Sequence, residues 1–291
     1  MNPDRRTNPD RRTNTVAPGP FRLVAVGGHE SGFGRLLPRP PAPGGPLPVA
    51  PGRELASAVR QLLATGDQPV LVVPMTLGRD PELAAEAARV LGPIAARRPG
   101  RVALAEPFGS TEHLVGWLRA AAGSGGAGDR ALLLTAPAAD PQADAELYRV
   151  ARLVRQFGRH RLVEVAFTGG DPSPAEGVDR CHRLGAPEVL LLPAGFGPAE
   201  PPPGSGATGA GPLLGPAAVR AVLAARAEAA RARLLRGDDG IAAGLATPHG
   251  HSHDHPHDHD HDHDHPHDHD PPDARQPHQH HHHDRAPART H

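Results

Sequence analysis

The chain has 291 residues, 38% of them hydrophobic, and a formal net charge of −1 in which every strong cation is arginine, since no lysine occurs. That length and apolar content suit one large or two small globular domains, and the near-neutral charge argues against nucleic acid as a partner. A single cysteine, Cys181, excludes an internal disulfide framework, and no apolar run approaches the roughly 18 residues of a membrane span, so a soluble, cytoplasmic protein with no membrane partner is expected.

Residues 1–20 open on NPDRRT repeated in tandem and lack the apolar core of a secretory signal, so they read as a disordered leader. FRLVAVGG (21–28) is a short apolar run closed by glycines, as in a buried strand ending in a loop. The proline-rich segment 38–52 predicts a long surface loop, followed by a helix from Arg53 to about Ala64. PVLVVPM (69–75) is a second continuous apolar run, and runs of this kind are buried on both faces, as in a parallel sheet. Asp80 and Pro81 carry the signature of a helix start, with Leu83, Ala87, Val90 and Leu91 on one face behind them. A third strand lies in 101–109, a helix with Leu114, Leu118 and Ala121 inward follows, and a fourth strand fills 131–137 after a glycine-rich turn.

From there the chain repeats its course. PEVLLLPAGFGP (187–198) echoes PVLVVPMTLGRDP, and GPLLGPAAVRAVLAARAEA (211–229) echoes EPFGSTEHLVGWLRAA. Between them lie a helix with Leu147, Val150, Ala151 and Val154 on one face, the strand LVEVAFTG (162–169), and a helix opened by Ser173, Pro174 and Glu176 in capping-box spacing. Alternating strands and helices with an internal echo predict an α/β protein of two similar lobes with parallel sheets, residues 21–128 and 129–236. Residues 237–291 are expected to form a disordered tail. Within it His251, His253, His255, His257, His259, His261, His263, His265, His267 and His269 alternate mostly with aspartate. Neutral imidazoles bind Ni²⁺, Cu²⁺, Zn²⁺ and Co²⁺, and the regular Asp and Pro distinguish the segment from an uninterrupted affinity tag.

The strand followed by GGHES (27–31), VVPMTLG (72–78), AEPFG (105–109), DPQADAELYRVARLV (140–154) and the segment 163–193 resemble, in order and spacing, the class II tetrapyrrole chelatases. That family includes the sirohydrochlorin cobalt- and ferrochelatases of cobalamin and siroheme synthesis. The resemblance covers about Arg22 to Arg236 and implies two flavodoxin-like lobes with a tetrapyrrole cleft between them. It also implies a metal-binding histidine after the first strand, a place held here by His29. The family's second histidine, in Gly-x-His after the second strand, is replaced: the loop reads Gly78-Arg79-Asp80. The glycine that follows the first histidine in the family is Glu30.

Metal insertion requires a ligand for the ion and a base for two pyrrole N–H protons, and a neutral imidazole does either near pH 7. His29 is thus the expected ligand and base, with Glu30 or Asp80 adding oxygen, alternatives being a loop carboxylate for Glu30 and a plain helix cap for Asp80. Arg35, Arg39 and Arg79, in the loops after the first two strands, are candidates to pair with substrate carboxylates, or are solvated surface arginines. The expected ion is Co²⁺, with Fe²⁺, Ni²⁺ or Zn²⁺ as alternatives, taken as substrate. No organic cofactor is expected, because the glycine-rich loop matches no nucleotide-binding fingerprint. The rival expectation is a non-catalytic protein that stores or delivers metal on a chelatase scaffold.

Overall fold

The computed structural model describes residues 21–37, 45–124 and 130–246. The chain divides into two units, Met1–Ser252 and His253–His291, and every described residue lies in the first. The leader, Arg39 and the tail histidines from His251 to His269 fall outside the described residues.

Strands β1 (Arg22–Gly27), β2 (Leu47–Val49), β3 (Val70–Met75) and β4 (Val102–Leu104) form one parallel sheet in the order β2-β1-β3-β4. Strands β5 (Ala131–Pro137), β6 (Val163–Thr168), β7 (Val189–Pro193) and β8 (Thr208–Gly209) form a second, in the order β6-β5-β7-β8. The orders coincide when β1 is matched to β5 and β3 to β7, so the echo in the sequence is an echo in topology. The fold is α/β with two similar parallel lobes.

The continuous apolar runs sit where such runs belong, in the sheet centres. On one face of the first sheet Val24, Val26, Val70 and Val72 pack against Leu55, Val59 and Leu63 of α1 (Arg53–Thr65) and Leu83, Ala87 and Leu91 of α2 (Glu82–Arg97). Ala25, Val73 and Met75 face the other way. They join a core that continues through Leu132, Leu134 and Val165 of the second sheet and Leu147 and Val150 of α4 (Pro141–Phe157). Behind the second sheet, α5 (Pro174–Arg183) seats Val178 and Cys181 among Leu133, Ala166 and Leu191, and burial pushes the Cys181 thiol up to about 11. The capping box at Ser173 and Glu176 is present as the spacing predicts.

Two edge strands depart from the expectation. Within the segment 38–52, read as surface loop, Leu47–Val49 pairs with β1, Pro48 opposite Ala25. Pro48 has no N–H to donate, which an edge strand tolerates. The two-residue β8 pairs with Leu190 and Leu191 of β7 in the same way at the second sheet's edge.

The last helix of each lobe covers the other lobe. α3 (Thr111–Ser124) follows β4 but packs on α4 and β7, while α6 (Pro216–Leu234) follows β8 but packs on β3 and β4, with Ala227 between Leu71 and Ala103. The ordered chain also runs past Arg236, where the tail was expected to begin. Asp239 accepts the Leu104 amide at 2.8 Å, Gly240 turns at φ 72°, and α7 (Ile241–Leu245) lays Ile241 into the α1–α2 core. Five helical residues are too few to show a period, which is why the segment read as tail.

Candidate functional site

β1 delivers the chain to the carboxyl edge of its sheet, the edge where open α/β folds bind ligands. Neither glycine there has room for a side chain. A Cβ on Gly27 would stand 2.2 Å from Ser31 Oγ, and one on Gly28 would stand 1.9 Å from Asp80 Oδ2. The turn His29–Ser31 follows, and it places His29 Nδ1 3.2 Å from Asp80 Oδ2, each side chain 16% exposed. An N–H at Nδ1 donated to Asp80 leaves the lone pair on Nε2, which is buried without a hydrogen-bond partner. A histidine backed by a carboxylate in this way is held in one orientation, with its free nitrogen presented as a ligand.

Asp80 serves His29 and does not cap its helix. The cap of α2 is Pro81, in helical conformation, and no side chain bonds the first free amides. The Asp80 amide donates to Thr76 Oγ1 at 3.2 Å.

Two other candidates lie elsewhere than the sequence suggested. Glu30 was expected as a metal-facing oxygen, yet it is fully buried, and its carboxylate accepts the Thr76 hydroxyl, the Leu77 amide at 2.9 Å and the Arg79 amide at 3.4 Å. Both oxygens are taken up by the loop after β3. Burial pushes the carboxyl above the usual carboxylate range, against the opposing pull of the Thr76 hydroxyl and of Arg79 and His29. Arg79 was expected to reach a substrate carboxylate, and it is fully buried too. Its Nε donates to the Ala143 carbonyl at 3.2 Å and its Nη2 to Asp144 Oδ1 at 3.2 Å, both in the second lobe. Burial pulls the guanidinium below its ordinary value, opposed by Glu30 and Asp144. Arg35 is exposed, and Arg39 is outside the described residues.

The raised Glu30 carboxyl has a consequence for stability. Its folded form keeps a proton to higher pH than the unfolded chain, whose ordinary value is 4.5. Folding therefore takes up a proton above that value, and the stability present at low pH is lost as pH rises through the window between the unfolded and folded values. Glu30→Gln removes this loss. The stability of the variant minus that of the parent, from urea unfolding, is expected to grow from pH 4 toward pH 8, and a difference that stays level across that range would contradict the assignment.

Sequence reasoning missed the second lobe's share of the site. A cleft of about 360 Å³ beside Asp80 is lined by Gly78–Glu82 and by Asp140, Gln142, Ala143 and Glu146 of the α4 start. Asp140 caps α4, accepting the amides of Gln142 at 2.9 Å and Ala143 at 3.0 Å, and the Ala143 amide above all holds its carboxyl below the usual range. The Asp-Pro pair at 140–141 is a visible cap signal, but nothing in the sequence says that it faces the β3 loop across the lobes. The cleft thus sets Asp80, Glu82 and Asp140 beside a guanidinium already in use, with Glu146 held by Arg149 at 2.8 Å, and this lining draws cations. Among the described residues no group of three or more His, Cys, Asp or Glu side chains is placed to hold a metal ion, so His29 and Asp80 stand as a pair. The other histidines among the described residues serve the fold: His113 stacks on Trp117, His160 bonds the Arg130 carbonyl and His182 the Ala186 carbonyl. No described helix is long and apolar enough to cross a membrane.

No protein-family model matches the chain. It is similar to the sirohydrochlorin cobaltochelatase of Priestia megaterium, 42% identical over 55 residues, which are 19% of this chain and 18% of that protein. The match therefore spans less than a fifth of the curated relative's length. Among solved structures, SirB from Bacillus subtilis with Fe³⁺ matches 75% of this chain and 99% of its own, at 13% identity and a TM-score of 0.45. The cobalt complex of SirB from Bacillus subtilis subspecies spizizenii matches 73% and 96%, at 11% identity and a TM-score of 0.42. The curated similarity is to the same family, the class II tetrapyrrole chelatases, that the loop and strand motifs resemble.

Proposed function

We propose that the chain inserts a divalent metal ion into a sirohydrochlorin-like tetrapyrrole, Co²⁺ foremost and Fe²⁺ or Ni²⁺ next, in cobalamin- or siroheme-type synthesis. The observation that carries this reading is the buried, unpartnered Nε2 of His29, with Asp80 behind the ring at the carboxyl edge of the first sheet. The similarity to a cobaltochelatase over part of the chain supports it.

The chemistry is a cation exchange: a divalent ion enters the macrocycle and two N–H protons leave it. His29 Nε2 can do the two jobs in turn. It first lends its lone pair to the incoming ion, and once the ion has passed to the pyrrole nitrogens it accepts a proton from the macrocycle. Asp80 faces the imidazolium that results, that proton passes to solvent to restore neutral imidazole, and the second pyrrole proton leaves by the same route in a second turn. The carboxylates of the adjoining cleft raise the local concentration of divalent cations, and a single imidazole ligand, with Asp80 behind it, leaves an ion the open positions it needs to move on. The alternating histidines from His251 to His269 gather ions on the same chain and so supply the site at high effective concentration.

One observation favours a second reading, storage or delivery without catalysis. Arg79, placed by sequence to meet substrate carboxylates, is committed to Asp144, and the lining of the cleft is acidic. A loaded-protein experiment separates the two. Full-length protein carrying Co²⁺ is mixed anaerobically with sirohydrochlorin, and the metallated chromophore is followed optically. Metallation faster than with free Co²⁺ at the same concentration supports the enzyme, and a rate equal to or below it leaves a metal store.

A further inference from the structure

We infer that Glu30 and Arg79 are coupled positioning residues, which hold the loop bearing Asp80 against His29 and make that placement depend on the second lobe. The inference rests on the proposed role of His29 and Asp80, and it goes further by assigning work to the two positions where this chain departs from the family it resembles.

The loop from Thr76 to Asp80 has little freedom of its own. Thr76 gives its hydroxyl proton to Glu30, and its oxygen accepts the Gly78 amide at 2.9 Å and the Asp80 amide at 3.2 Å. Glu30 also takes the amides of Leu77 and Arg79, so one carboxylate gathers three donors of a five-residue segment. Gly78 turns at φ 111°, and a Cβ there would meet the Thr111 amide nitrogen at 2.2 Å, so the loop lies directly on the start of α3. From the other lobe, Ala143 and Asp144 hold the Arg79 side chain, and Asp144 Oδ1 is fixed in turn by the Ala139 amide at 3.1 Å. The Glu30 carbonyl accepts the Phe196 amide at 3.1 Å, which ties the His29 turn to the segment after β7.

The energetics argue for placement over stability. Burying a carboxylate and a guanidinium costs solvation that ionic contacts seldom recover in full. These two do not form an ion pair: Glu30 binds amides, Arg79 binds the second lobe, and Arg79 Nη1 is buried without a partner. What the arrangement secures is the position of the loop. Asp80 makes no helix-cap bond; its amide donates to the Thr76 hydroxyl and its carboxylate faces His29. Glu30 replaces a glycine and Arg79-Asp80 replaces x-His in the family pattern, and here the replacements touch one another. The loop that carries Asp80 is braced by the carboxylate that took the glycine's place.

A double-mutant cycle on the full-length chain tests this. Arg79→Met is expected to lower kcat/KM for Co²⁺ about tenfold in the parent and less than about twofold once Asp80→Ala is present, since a residue that acts through another loses its effect when the other is gone. Equal losses in both backgrounds would assign Arg79 a general structural role and overturn the inference. Amide hydrogen exchange on the metal-free chain gives a readout that needs no chelatase activity. Arg79→Met and Asp144→Ala should speed exchange at Leu77, Gly78 and Asp80 while Val72, in the centre of β3, keeps its protection. Unchanged exchange in the loop would refute the brace whatever the activity. Faster exchange confined to the loop, in a protein that metallates nothing, would keep the brace and remove the chelatase.

Discussion

His29→Ala should lower kcat/KM for cobalt insertion by about 10²- to 10⁴-fold, the range over which a positioned acid or base contributes, while leaving the fold intact. The imidazole stands on the turn after β1, 16% exposed and apart from the residues of the two hydrophobic cores, and its polar contact is Asp80. Removing it therefore opens no large cavity in either core. The loss should be in chemistry and not in folding, so the unfolding midpoint of the variant should stay near that of the parent. His29→Gln sharpens the test, because its amide can still donate toward Asp80 but offers neither a lone pair on nitrogen nor a base. A Gln variant as active as the parent would remove His29 from the mechanism.

Gly28→Ala is expected to cost about 10- to 100-fold in metal affinity or rate, the usual penalty for losing the partner that orients a ligating histidine. The backbone at Gly28 has φ −88° and ψ −153°, which alanine adopts without strain. The added methyl would nevertheless stand 1.9 Å from Asp80 Oδ2, so the Asp80 side chain must swing away from His29. A single carbon thus separates the pair without replacing either member. In an Asp80→Ala background the same methyl has no carboxylate to displace, and Gly28→Ala should there be nearly silent. A loss of equal size in that background would show that the glycine matters for some reason other than the pair.

The parts of this architecture legible in the sequence are those written in local pattern. Apolar runs at 21–28 and 69–75 predict central strands because burial on both faces requires them, and Ser173 with Glu176 predicts a capping box because its bonds span four residues. The repeat of the strand order follows from the echo between the halves. The edge strand at Leu47–Val49 was hidden by Pro48, a residue that argues against a strand except at an edge. The exchange of α3 and α6 between lobes leaves no local trace, since an amphipathic helix does not record which sheet it covers.

The site divides along the same line. His29 is legible from its place after a strand, and Asp80 from its place in the following loop. The roles of Glu30 and Arg79 are not, because both depend on contacts across 46 to 65 residues of chain: Thr76 to Glu30, and Arg79 to Asp144. Charged residues in loops ordinarily face water, and here two are turned inward to carry backbone amides and a neighbouring lobe. An arginine that looks like a substrate clamp in sequence is a strut in the structure.

Crystals of the full-length chain soaked in Co²⁺ and measured at the cobalt absorption edge test the central claim most directly. The account predicts an anomalous peak about 2.0–2.2 Å from His29 Nε2, with Nδ1 still turned to Asp80. Cobalt on Nδ1, or cobalt in the acidic cleft with no imidazole nitrogen in its coordination shell, would contradict it.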